Sequence, residues 1–350
     1  MTSVYSMTSH NWKDFFESIG VSPAALPYWF QGLYRDEALF QKHISPDLLK
    51  KVKENFHFTL PEIVKTQEAS DGTIKFQMKM QDGLEVETVL IPFYKRFTIC
   101  LSTQVGCGMN CSFCYTGTMG LSRNLTAGEI VGQYLVARSH LRSKKSDALN
   151  PSIVFMGQGE PLNNAAELKK AIEILNHNRM ADVGLRQMTL STVGYLPGMQ
   201  GLKDFPRVNL ALSLHSPFEE ERNQLIPINQ KYPLKDILEI LDAIPLLPRQ
   251  FITFEYLLIK NFNMTERHAD ELARILGNRK ALMNLIPMNP FPGSKWERPD
   301  DNEIEEFRKL LVERKLRVLV RVTKGNDILA ACGQLKVESS ARRKVVNNAN

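Results

Sequence analysis

The 350 residues carry 44 Lys and Arg against 38 Asp and Glu, a formal charge of +6, and 43% of them are apolar. That content can bury a core spread over two or three structural units. The five cysteines, an odd and sparse set, exclude a secreted disulfide framework and point to a reducing compartment. There is no apolar N-terminal h-region and no run near the ~18 apolar residues of a membrane span, so the expected location is cytoplasmic.

Along the chain, residues 10–56 are predicted to form short helices, with apolar positions at Trp12, Phe15, Phe16, Trp29, Phe30, Leu33, Leu48, Leu49 and Val52. Pro23, Pro27 and Pro46 divide them, and the Trp and Phe residues are expected to be core. From His57 the apolar period switches to two. Ile74, Phe76, Met78 and Met80 alternate with polar partners, and Asp71-Gly72 and Asp82-Gly83 mark tight turns, which predicts a β-meander over 57–96. It runs through LEVETVLIP, which holds Glu87, into a continuous strand FTICLSTQVG.

Strands and helices then alternate. Thr126 and Glu129 form a capping box ahead of EIVGQYLVARSHL. The strands PSIVFMGQGE, QMTLSTVG, VNLALSLHS, FITFEYLLI, MNLIPMNP and RVLVRVT are continuous apolar runs, the mark of a parallel sheet covered by helices. About six units predict a closed or partly closed barrel over 97–325. Residues 316–350 hold seven basic side chains (Arg317, Arg321, Lys324, Lys336, Arg342, Arg343, Lys344) against Asp327 and Glu338, so a polyanion is expected near this end.

Within VGCGMNCSFCYTG, Cys107, Cys111 and Cys114 are spaced C-x3-C-x2-C. Three thiolates on one loop can hold three corners of a 4Fe–4S cube and leave one iron open. An electron-transfer cluster normally takes four cysteines. A structural zinc site needs a fourth ligand close by, and the loop holds no histidine. Ligands of parallel α/β folds sit at the C-terminal ends of strands. There this chain places Gly157, Gly159, Glu160, Ser191, Thr192, Ser213, His215 and Asn289.

CGMNCSFC resembles the radical S-adenosylmethionine (SAM) signature. MGQGEPL, LSTVG, LSLHS, NLIPMNPFPG and AACGQL, in that order, resemble the RlmN/Cfr family of RNA adenosine methyltransferases over residues 85–335. GEPL and NPFPG lie closer to the RlmN side of that family. Tyr115 stands where a small residue is usual, and Gln158 where Met is commoner. The resemblance implies an α/β fold, a partial (β/α)6 TIM-like radical SAM barrel. A helical module (1–56) and the meander extension precede it, and a C-terminal segment (326–350) bears a cysteine and a basic tail.

The resemblance also implies the roles of the residues. Cys107, Cys111 and Cys114 hold the cluster, and two SAM molecules are used per turnover. Cys332 accepts a methyl group, which becomes a bridge to the adenine ring once a 5′-deoxyadenosyl radical has removed a hydrogen from it. Cys100 resolves that bridge through a transient disulfide with Cys332, and Glu87 accepts a proton. Gly159, Glu160, Ser191, Ser213, Leu214, His215 and Asn289 contact SAM. The implied substrates are an adenosine of 23S rRNA and one beside a tRNA anticodon, and the implied partner is an electron donor such as flavodoxin or ferredoxin. The chain is expected to act as a monomer. Two other readings stay open: carbon-8 methylation with the same cysteines, and an RNA-binding iron–sulfur protein without a methyl carrier.

Overall fold

The structure, a computed structural model, describes residues 1–35, 44–94, 96–143 and 151–337. The basic triplet Arg342, Arg343 and Lys344 lies outside the described residues. Strand β1 (Thr2–Ser3) leads into helices α1 (Ser9–Ser18), α2 (Leu26–Tyr34) and α3 (Pro46–Asn55). Thr8 caps α1 by accepting the Asn11 N–H at 3.2 Å. Trp12, Phe16 and Trp29 are fully buried, with the two indoles 4.9 Å apart, so these aromatics are core as expected.

Strand β2 (Phe56–His57) pairs with β1. The meander follows as β3 (Glu62–Glu68), β4 (Ile74–Lys79) and β5 (Glu85–Phe93), antiparallel throughout. Asp71 and Asp82 each accept an N–H two residues on (2.9 and 3.0 Å), which builds the two predicted turns.

Strand β6 (Arg96–Cys100) opens the barrel, pairing antiparallel with β5 and parallel with the next barrel strand. Here the structure departs from the expected continuous strand FTICLSTQVG. The chain leaves the sheet after Cys100 and forms a separate hairpin, β7 (Gln104–Cys107) and β8 (Gly120–Asn124). The cause is a side chain acting as a strand: the buried Gln133 amide accepts the Ser102 N–H and donates to the Ser102 carbonyl, both at 3.0 Å. Gln133 belongs to α4 (Ala127–Ser143), which opens with the predicted Thr126–Glu129 box.

The remaining units are β9 (Ser152–Phe155), α5 (Ala165–Asn176), β10 (Met188–Thr192), α6 (Leu196–Met199) and β11 (Asn209–Ser213). Then come α7 (Glu219–Leu225), α8 (Leu234–Asp242), β12 (Ile252–Leu258), α9 (Glu266–Leu276), β13 (Ala281–Pro287), α10 (Asp301–Glu313) and β14 (Val318–Val320). One ten-stranded sheet runs β14-β13-β12-β11-β10-β9-β6-β5-β4-β3. Its parallel part holds six strand–helix units and the terminal β14, so the barrel is partial. One apolar core reaches from Val4 through the barrel to Leu316. No helix among the described residues is long and apolar enough to cross a membrane.

Candidate active site

The C-terminal ends of the parallel strands surround a cleft of about 900 Å³, lined by Cys107, Cys111, Cys114, Gly159, Glu160, Ser191, Ser213, His215 and Cys332 among others. The cysteine loop is fixed by its glycines and by α7. Gly106 has φ +77°, and a Cβ there would stand 1.9 Å from the Gly120 carbonyl oxygen. Ser112 donates its N–H and hydroxyl to the Leu225 and Gln224 carbonyls (both 2.9 Å) and accepts the Trp296 indole N–H at 3.0 Å. Helix α7 was not legible beforehand, because EEERNQL has no apolar stripe.

The three thiols line one cleft together, as ligands of a single group must. All five cysteines are free. Among the described residues no three His, Cys, Asp or Glu side chains converge on one metal-ion position. Burial pushes Cys107 up to about 12 and Cys111 well above the ordinary thiol value, and each is raised further by a neighbouring sulfur. Only a strong local cation would make such a set favourable as thiolates. Backbone N–H groups of Met109 and of Thr116 and Gly117 already face the sulfurs of Cys107 and Cys114, a feature that tunes cluster potentials.

Five of the seven candidate SAM contacts line this cleft: Gly159, Glu160, Ser191, Ser213 and His215. Gly159 has φ +107°, and a side chain there would collide with Gln104. The buried Glu160 carboxylate accepts the Leu162 and Val193 N–H groups (3.1 and 3.0 Å), yet burial still raises it to about 7. Leu214 and Asn289 are not brought into the cleft lining. Leu214 is buried behind it, its N–H donated to the Glu255 carbonyl at 2.9 Å. Asn289 lines an adjoining cavity and holds the Cys332 carbonyl at 3.4 Å.

His215 is buried at φ +61°, and its Nδ1 accepts the Leu257 N–H at 3.0 Å. Burial first, then the Arg222 charge, lowers it to about 3, so the ring is neutral at working pH. The unfolded ring takes its proton as pH falls through 6.5, whereas the folded ring does not until about 3. Stability is therefore lost on acidification across that window, on the order of 5 kcal/mol in full. His215→Asn, which tolerates positive φ, is expected to flatten the slope of urea-unfolding stability between pH 6.5 and 4. An unchanged slope would show that other groups set it.

The second cavity, about 620 Å³, is lined by Cys100, Ile91, Phe93, Met156, Asn289, Arg321, Lys324 and Cys332. Of the five cysteines only Cys332 lines both cavities. Its loop is clamped to the cluster loop, where Tyr115 donates its N–H to the Gly333 carbonyl at 2.6 Å. The Tyr115 ring stacks on Phe291 at 4.7 Å and carries the Lys336 ammonium 4.1 Å from its centroid. That is a positive use for the unusual tyrosine. Gln158 also acts as a tie, donating its N–H to Ser102 Oγ at 2.9 Å and accepting the Glu87 N–H at 3.3 Å.

Glu87 lies outside the lining of both cavities. Its buried carboxylate pairs with Lys75 Nζ at 3.0 Å and accepts the Lys336 N–H at 2.8 Å. Burial raises its pKa, and Lys75 and the Lys336 N–H oppose that.

Three residues that sequence reasoning did not assign to the site complete it. Arg222, fully buried, donates to the Val193 (2.6 Å), Ser213 (3.0 Å) and Leu214 (3.2 Å) carbonyls, tying the ends of β10 and β11 together. Arg321 lines both cavities, its charge favoured by Cys332 first, then by Glu255 and Cys100. Glu255, buried on β12, accepts the Asn284 amide at 2.7 Å. The one available signal was position: Arg321 and Glu255 each interrupt an apolar strand pattern.

The radical SAM superfamily model matches residues 101–273. The dual-specificity RNA methyltransferase RlmN of Lawsonia intracellularis is 46% identical over 283 residues, 79% of each chain. That of Solidesulfovibrio magneticus is 38% identical over 341 residues, 97% of each. The crystal structure of a radical SAM methyltransferase from Sphaerobacter thermophilus superposes with a TM-score of 0.88 at 34% identity, covering 96% of this chain and 99% of that one. With its cysteine loop, strand-end cleft and paired thiols so arranged, this chain belongs to the RlmN family of radical SAM RNA methyltransferases.

Proposed function

We propose that the chain methylates carbon 2 of an adenosine in 23S rRNA and of an adenosine beside the anticodon of tRNA, with Cys332 as methyl carrier. The observation that carries this reading is the position of Cys332 on the wall shared by the cluster cleft and the Cys100 cavity. A carrier must meet the methyl donor on one side and the acceptor base on the other. The relatives are dual-specificity RNA methyltransferases, which supports two RNA classes.

Cys107, Cys111 and Cys114 would hold a 4Fe–4S cluster. With SAM in the same cleft and a flavodoxin or ferredoxin as electron donor, that group would supply the one-electron reductive chemistry of the superfamily. The chain's own residues do the rest. Gly159 gives close backbone access, and Glu160, Ser191, Ser213 and neutral His215 offer polar atoms to a zwitterionic, ribose-bearing ligand; Leu214 and Asn289 support that wall from behind and beside it. Arg321 lines both cavities with Cys332, the sulfur that takes a methyl group from the first of two SAM molecules, leaving S-adenosylhomocysteine. Glu87 accepts the adenine proton; its tie to Lys336, four residues from Cys332, supports a place beside the carrier segment. The target base must leave its stack to reach either thiol.

The test is anaerobic turnover of the reconstituted enzyme on ribosomal and transfer RNA, with nucleosides identified by mass and chromatography. The expected product is 2-methyladenosine from both. 8-Methyladenosine would favour the carbon-8 reading, and unmodified adenosine with SAM still consumed would favour the reading without a methyl carrier.

A further inference from the structure

Resting on that reading, we infer that Phe93 is a stacking platform for a nucleobase of single-stranded RNA at the mouth of the Cys100–Cys332 cavity. Phe93 ends β5, lines this cavity and is 48% exposed. A large aromatic ring left in water at a cavity mouth is a cost that the fold does not explain. Val322, 75% exposed, lines the same cavity, and Tyr94, next to Phe93 in the chain, is fully exposed. Single exposed apolar residues are ordinary, but a group at one opening marks a contact site.

Charge decides what the contact is. Arg96, exposed, is the register partner of Phe93 across the hairpin. Arg321 and Lys324 line the cavity, with Asp71 4.0 Å from the Lys324 ammonium. Aromatic faces interleaved with cations match single-stranded nucleic acid, whose bases stack while its phosphates pair with the charges. The cavity behind has apolar walls of Ile91, Val154 and Met156 and ends on the two thiols. A base entering it would leave its sequence neighbour at the mouth, level with Phe93. The exposed hydrophobic side chains Val312 and Leu121 are not among the residues lining this cavity.

The experiment uses reconstituted full-length enzyme and a single-stranded RNA carrying 2-aminopurine next to the target adenosine. Anisotropy reads affinity, and 2-aminopurine quenching reads stacking. Phe93→Ala is expected to weaken binding about tenfold and to abolish quenching, with Phe93→Trp restoring both and Val312→Ala matching wild type. Equal affinity and quenching for wild type and Phe93→Ala would overturn this inference alone. So would a Phe93→Ala variant that binds RNA normally but is reduced more slowly by flavodoxin, since the patch would then be a protein contact. Wild type that fails to bind RNA would overturn both this inference and the function it rests on.

Discussion

Replacing Cys332 with alanine is expected to stop RNA methylation, lowering turnover by more than about 10⁴-fold, the scale seen when an essential nucleophile is removed. Cluster content, read from iron analysis and the visible spectrum, is expected to stay at the wild-type level, and SAM cleavage without RNA to stay within about twofold. The two effects separate because of where the side chain stands. It lines the cluster cleft, but Cys107, Cys111 and Cys114 sit on a different segment held by Gly106 and by Ser112 contacts to α7. The Tyr115–Gly333 hydrogen bond that docks the Cys332 loop is a backbone contact and survives the substitution. Loss of one partly buried sulfur costs little stability. Arg321 would lose the neighbour that most favours its charge, but Glu255 remains. Retained methylation in the alanine variant would reject the carrier role outright. Loss of iron together with methylation would mean that the residue holds the loop rather than the methyl group.

How far the sequence alone reaches is visible in particular elements. The two Asp-Gly turns, the Thr126–Glu129 cap and the parallel strands are local patterns, and the chain obeys them. The strand-end rule gathered Gly159, Glu160, Ser191, Ser213 and His215 into one cleft, because in a parallel sheet every strand delivers its C-terminal residue to the same face. What failed to show was set by partners distant in the chain. The strand FTICLSTQVG breaks because Gln133, on a helix, satisfies Ser102. Glu87 is neutralised by Lys75 across the meander and by the Lys336 N–H, far along the chain. The Arg222 clasp on β10 and β11 also depends on a helix whose residues carry no amphipathic signal. No period or motif encodes such contacts; they exist only once the sheet has formed. The sharing of one cavity by Cys100 and Cys332 belongs to this class, and only the family resemblance linked the two before the structure did.

The companion variant, Cys100→Ala, is expected to fail at a different stage. It should accumulate the covalent RNA adduct through Cys332, up to about one equivalent per enzyme, and release no methylated product. Denaturing gels with labelled RNA, checked by mass, read the adduct directly. The geometry suits the division of labour proposed for the thiols. Cys100 is buried among Val89, Ile91, Ala330 and Leu335, whereas Cys332 reaches both cavities. Burial, reinforced by the nearby Cys332 sulfur, pushes Cys100 up to about 12, with Arg321 opposing. In the free chain Cys100 is therefore a neutral thiol and a poor competitor for a methyl group, since the thiolate is the nucleophile. On the proposed pathway its chemistry comes later, once the Cys332 sulfur would carry the RNA carbon. Attack there forms an S–S bond and breaks the S–C bond; the electron pair leaves with carbon, which takes a proton to become the methyl group. The disulfide so formed must accept two electrons before another round, so wild type starved of thiol reductant should stall after one turnover without an adduct. Cys100→Ala should stall with one, and a Cys100→Ala preparation containing only free protein and free RNA would remove Cys100 from the pathway.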